Sequence, residues 1–250
     1  MPITASTYTV PTPMTLGCDV SFWQDDNSTV KGIDFVKMHE AGAKFVFIRA
    51  GQYIHPDPDF NNNWRASKAA GLLRGAYLFF DYRFPAVNQA NMFAARLAGD
   101  PGELPPVLDI EYRAAWGRPT RDAMLAAINA FLLRMRELGH KRVIFYSNPD
   151  MLLSLAPVPE WLSSQCPLWI AHYGVSAPRH DGWPAWTFWQ YTDRGDGESF
   201  GVESKQLDMD WFNGSEAALH QFAVGAQEPT YAQALDTWAR SMGFTGPPLP

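Results

Sequence analysis

Cysteine is scarce in this sequence, charge is sparse and long apolar runs are missing; each shortage narrows what the chain can be. Two cysteines, Cys18 and Cys166, are too few and too far apart for a disulfide framework or a thiolate metal cluster. Two buried free thiols are the favoured arrangement, with a single bridge between two strands as the alternative. Charged residues make up 18% of the chain, below the roughly 25% typical of soluble proteins, yet no apolar stretch approaches the ~20 residues that span a bilayer. A soluble globular protein with no membrane partner is expected. The net charge of -6 leaves no basic face for phosphate backbones, so nucleic acid is not an expected partner. The start, MPITASTYTVPTPMT, lacks the basic residues and apolar stretch of a secretory signal and reads as an extended leader over 1–15.

What is present is apolar and aromatic. Hydrophobic residues reach 46% of 250, enough for one large domain or a barrel. Ten Trp and nine Tyr are many for this length; such rings stack on sugar faces, although most are ordinary core. Short apolar runs recur at 16–21, 44–50, 74–80, 105–111, 142–147, 167–173, 186–191 and 206–212, and read as buried strands. Their near-continuous apolarity is that of parallel strands covered on both faces. Helical patterns lie between them at 32–41, 59–70, 86–98, 120–138 and 149–155. The fourth places Met124, Ile128, Phe131, Leu132, Met135 and Leu138 on one face, with Thr120 as N-cap and Gly139 as stop.

After Leu155 the helices are expected to stop, because loops rich in Pro, Gly and Trp join the last three strands. The expected architecture is α/β: an irregular TIM-like barrel over 16–214, five βα units followed by three β-strands. Residues 215–250 form a C-terminal appendage with two short helical patterns, EAALHQFAVGAQ and TYAQALDTWARSM, and a disordered-looking end.

Barrel enzymes place their active sites at the C-terminal ends of strands, so acids ending apolar runs are the candidates. Asp109 and Glu111 close the fourth run; residues i and i+2 of a strand share a face, which points both carboxyls to one mouth. Paired acids serve glycoside hydrolysis: one, with a raised pKa, protonates the leaving oxygen while another group stabilises the sugar cation. Glu111, longer and nearer the strand end, is the better acid. The plainer alternative is a capped strand end, or a salt bridge to Arg113. Asp19 ends the first run and Asp208 lies in the last; first and last strands of a closed barrel are neighbours, so four carboxyls converge. Asp210 is equally well read as structural.

The segments GCDVSFWQ, FIRAGQY, GAYLFF, PVLDIE, IFYSN, LWIAHY, TFWQYTD and LDMDWF closely resemble, in order, the strand motifs of the glycoside hydrolase family 25 lysozymes, from Gly17 to Phe212. The resemblance implies an irregular barrel that hydrolyses the β-1,4 bond between N-acetylmuramic acid and N-acetylglucosamine in bacterial peptidoglycan, without metal or other cofactor. By that similarity Glu111 is the general acid/base, Asp109 assists the substrate's acetamido group, and Asp19 and Asp208 complete the acidic site. Tyr77, Tyr146, Trp169, Tyr173, Trp189 and Gln190 fall at motif positions that line the sugar groove, with simple barrel packing as the alternative for each aromatic. The family's third motif commonly has His where this chain has Leu78, a change expected to alter subsite polarity, with Asp81 nearby as partial compensation. Retention with the substrate's acetamido group attacking is the implied route, since strand spacing alone leaves the stereochemistry open. A chitinase-like hydrolase and a non-catalytic wall-binding protein are the competing readings. A monomer acting on the cell wall, with phage-type release, is expected.

Overall fold

The computed structural model describes residues 13–25, 29 and 31–225. The expected leader up to residue 12, the second helical pattern of the C-terminal appendage and the chain end lie outside these residues. Five strand-helix steps open the fold. They are β1 (Thr15–Val20) with α1 (Phe35–Glu40), β2 (Phe45–Gln52) with α2 (Phe60–Ala69) after a two-residue strand β3 (His55–Pro56), β4 (Leu73–Phe79) with α3 (Ala86–Leu97), β5 (Val107–Asp109) with α4 (Arg121–Glu137), and β6 (Ile144–Ser147) with α5 (Pro149–Ser154). A single turn, α6 (Glu160–Ser163), precedes β7 (Leu168–Ala171), β8 (Phe188–Asp196), β9 (Gln206–Phe212) and α7 (Glu216–Val224). The helices therefore do not stop at Leu155, as α6 shows.

The strands pair in the order β1-β9-β8-β7-β6-β5-β4-β2-β3, and β1 also pairs with β2, which closes eight of them into a barrel with β3 as an outlying hairpin arm. All barrel neighbours run parallel except β9, which is antiparallel to both β1 and β8. The parallel expectation is thus corrected at β9. The connection from β8 is too short for a helical crossover, and a short connection between neighbours forces a hairpin.

Helix α4 forms for the reasons its pattern gives. Thr120 Oγ accepts from Ala123 N at 3.3 Å, Gly139 ends the helix with a φ of 96°, and Met124, Ile128, Phe131 and Met135 are buried. Leu138, expected on that face, is exposed at the C-terminal end instead.

Alternation of side chains along each strand sorts the core into two parts. Outward residues such as Val46, Ile48, Leu78 and Leu108 pack under the helices, while inward Phe45, Phe47, Val107, Ile144, Trp169, Phe188 and Phe212 fill the lower barrel. Room for the rings comes from glycine: a Cβ on Gly17 would lie 2.4 Å from Phe45, and one on Gly75 would lie 2.4 Å from Phe47. Helix α7 seals the floor, with Phe222 5.6 Å from Phe188 and Leu219 buried. Each buried ring contributes about 2–3 kcal/mol of transfer energy. Cys18 and Cys166 are both free and buried, which removes the bridge alternative.

Candidate active site

Above this aromatic floor the inward positions turn polar. A hollow of about 220 Å³ opens at the C-terminal ends of the parallel strands, and Asp19, Asp109, Glu111 and Asp208 all line it. Register explains the convergence. Asp19 of β1 lies opposite Asp208 of β9, while Asp109 of β5 sits between Phe79 of β4 and Tyr146 of β6. Glu111 stands beyond the end of β5 rather than within it. The segment is still pinned to β6, since Ile110 N donates to Tyr146 O at 3.0 Å and Ser147 Oγ donates to Ile110 O at 2.7 Å.

Gln190 organises the remaining polar groups. Its Nε2 donates to Asp19 Oδ2 at 2.6 Å, and its Oε1 accepts from Tyr146 at 2.8 Å and from Tyr173. Trp169 donates to Asp210 Oδ1 at 2.7 Å from the barrel interior. Arg49 is fixed at the wall by Asp57 at 2.8 Å and by the Phe22 ring, 4.7 Å from its guanidinium.

The acids are protonated more readily than in water. Burial pushes the Asp109 carboxyl well up, the charge of Glu111 adds to the rise, and Arg49 and Arg113 act against it. Burial also raises Glu111, opposed by Tyr146 and Arg113. Asp19 is raised by burial and by Asp208 and Asp210, while Asp208 is pushed up to about 6 by burial, Asp193 and Glu111. Arg49 thus bears on Asp109 and is not among the causes at Glu111, yet burial and the charge of Glu111 outweigh it and Asp109 is the more strongly raised of the two. Asp109 Oδ1 is buried and has no protein donor.

Tyr77, Tyr146, Trp169, Tyr173 and Gln190 line the hollow with the acids. Three other positions do not. Trp189 packs outward under the helices and gives its Nε1 to His172 O at 2.9 Å, because it precedes inward Gln190 on the strand. Asp81 is outside the lining; its carboxylate is held by Arg83 at 2.6 and 2.9 Å. Leu78 faces the helix layer and does not line the hollow. Arg49, Ser21, Trp23, Gln24 and Phe79 line the hollow without having been read from the sequence. Arg49 carried a signal, a cation inside an apolar run.

Among the described residues, no group of three or more His, Cys, Asp or Glu side chains is placed to hold a metal ion. A second hollow, of about 480 Å³, opens beside the N-terminal ends of β7 and β8, lined by Arg142, Trp183, Trp186 and Phe222 among others but by no carboxylate.

Known proteins resemble this chain in sequence and fold. The glycosyl hydrolases family 25 model matches residues 18–199. The chain is 32% identical over 233 residues to Uncharacterized protein YegX of Escherichia coli (strain K12), spanning 91% of this chain and 80% of that protein. It is 33% identical over 213 residues to Lysozyme M1 of Streptomyces globisporus, spanning 81% and 69%. The bacterial lysozyme of Streptomyces coelicolor superposes with a TM-score of 0.73 at 31% identity, over 85% of this chain and 98% of that one. With the barrel, its paired acids and these likenesses in agreement, the chain belongs to glycosyl hydrolases family 25.

Proposed function

We propose that the chain is a muramidase, cutting the β-1,4 bond between N-acetylmuramic acid and N-acetylglucosamine in the peptidoglycan of bacterial cell walls. The residues 16–214 are its catalytic barrel, closed from below by α7. Glu111, whose carboxyl burial shifts toward the protonated form, gives its proton to the glycosidic oxygen. The acetamido oxygen of the same sugar attacks the anomeric carbon, and Asp109 accepts a hydrogen bond from the acetamido N–H. Water then opens the cyclic intermediate with Glu111 as base, so the configuration is retained. Asp19 and Asp208 face the developing sugar cation.

The observation that carries this reading is Asp109 Oδ1, a buried acceptor without a protein donor, in the hollow it shares with the Glu111 carboxyl. A carboxylate that only capped a strand would have its oxygens bonded to backbone amides. The lysozyme relatives support the substrate class. The test is mass spectrometry of fragments from purified peptidoglycan. Fragments ending in reducing N-acetylmuramic acid are expected, and fragments ending in reducing N-acetylglucosamine, or none at all, overturn the reading.

A further inference from the structure

On one side the catalytic hollow continues outward into a ladder of rings and guanidinium groups that the proposed chemistry does not use. The segments that follow β2, β4 and β5 build it, at the same mouth of the barrel as the acids. Tyr53, held at a φ of 56°, lays its ring flat on exposed Phe84 at 4.0 Å; backbone strain of that kind persists only where the surroundings hold it. The Arg83 guanidinium spans Phe84 at 5.4 Å and Trp116 at 4.6 Å, and that of Arg113 spans Trp116 at 5.6 Å and Phe79 at 4.5 Å. Arg118 lies over Tyr112 at 4.6 Å, and Tyr82 ties the loop down by donating to Gly117 O at 2.6 Å. The three arginines differ in what balances them. Arg83 is matched by Asp81 at 2.6 Å, whereas Arg113 and Arg118 are exposed and form no salt bridge among the described residues.

We propose that this ladder binds the stem peptide of the substrate, with Arg113 and Arg118 pairing with its carboxylates. The proposal rests on the muramidase reading, because it is the muramic acid of a wall glycan that carries such a peptide. The lactyl group of that sugar is amide-linked to a short peptide with free carboxylates, so the strand that enters the groove is neutral along its sugars and anionic at its branches. Charge on the groove acids repels those branches. Arg113 and Arg118 stand where the acids end. Arg113 and Phe79 belong to both the hollow and the ladder, while Arg118 lies outside the hollow. A planar guanidinium takes a carboxylate through two parallel hydrogen bonds, and one already seated on a ring loses less side-chain freedom in doing so. In a chain of net charge -6, two unmatched cations beside four acids make a local change of sign that draws an anionic branch to this side of the groove.

The test measures reducing ends released from three sets of soluble, uncrosslinked glycan strands freed of phosphate-bearing wall polymers. One set keeps its stem peptides, one has the stem carboxylates amidated, and one is stripped of stems by an amidase. The parent is expected to favour intact stems over both other sets by roughly three- to tenfold in kcat/KM, through KM, the effect of two partly exposed ion pairs. That preference should shrink as salt is raised from about 0.05 to 0.5 M. Arg113→Gln/Arg118→Gln is expected to cleave all three sets with one kcat/KM. The ratio between substrates is the readout, because Arg113 also acts against the rise of Asp109 and Glu111 and its loss alters the rate on every strand. Should the double variant fail to fold, Arg118→Gln alone is expected to reduce the preference by about twofold or more. A parent that cleaves all three sets equally, or a variant that keeps the parent preference, overturns the proposal and leaves the muramidase reading standing. So does a preference that survives amidation, or one that appears only when phosphate-bearing polymers are restored. A parent that cleaves no strand of any set sinks the muramidase reading and the proposal with it.

Discussion

The barrel buries charge at both ends of its strands, and the two ends treat it in opposite ways. Near the start of β4, Arg74 has no exposed side-chain surface and is fully paired. It bonds Asp100 Oδ1 at 2.9 Å, Glu103 Oε1 at 2.7 Å and Trp64 O at 3.0 Å, and lies 4.4 Å from the Trp64 ring. That pairing holds the Asp100 carboxyl down to about 2. At the far end, Asp19, Asp109, Glu111, Asp208 and Asp210 crowd together, all are raised, and two of their oxygens lack donors. One cluster is built for a stable state with every charge matched. The other holds like charges together at a cost in stability, an arrangement expected where protons and cationic sugars are handled.

The contrast is broken most severely at its structural end. Arg74→Met would leave Glu103 without its cation and Asp100 with Lys68 alone, and is expected to lower stability by about 3 kcal/mol in chemical denaturation. Asp109→Asn should do the reverse. A loss of roughly 10²–10³-fold in kcat, about 2.7–4 kcal/mol of transition-state stabilisation, is expected with a melting temperature equal to or above that of the parent. A fall in stability comparable to that of Arg74→Met would show the two ends to be alike. The smallest effect is in pH dependence. Asp208 has a folded value of about 6, above its unfolded one, so the native state binds the extra proton and its contribution to stability declines as pH rises from about 4 to 6. Asp208→Asn should remove that slope and be more stable at pH 7 by roughly 2–3 kcal/mol. The opposite sign holds for Asp100, whose contribution is present at neutral pH and lost as pH falls through about 2.

Much of this was legible in the sequence. The strands, the five helical steps and the four groove acids all follow from apolar runs ending in carboxylates. What the sequence hides is which face a residue takes. A strand covered on both sides is apolar throughout and carries no alternation to read, so Trp189 and Gln190 looked equally suited to the groove until the pleat separated them. Asp81 misled for a related reason: an acid just past a strand end resembles a catalytic one, and only the nearby Arg83 shows otherwise. Arg49 was overlooked because its partners, Asp57 and Phe22, come from separate loops. Antiparallel β9 did carry a signal, since Gln206, Asp208 and Asp210 alternate with Leu207, Met209 and Trp211.

The central claim, that the crowded end of the barrel is a proton-donating site, is tested most directly by the rate at which Glu111→Gln releases reducing ends from purified peptidoglycan. A fall on the order of 10²–10⁴-fold, with circular dichroism and melting unchanged, is predicted. A variant that folds normally and keeps the parent rate would contradict it.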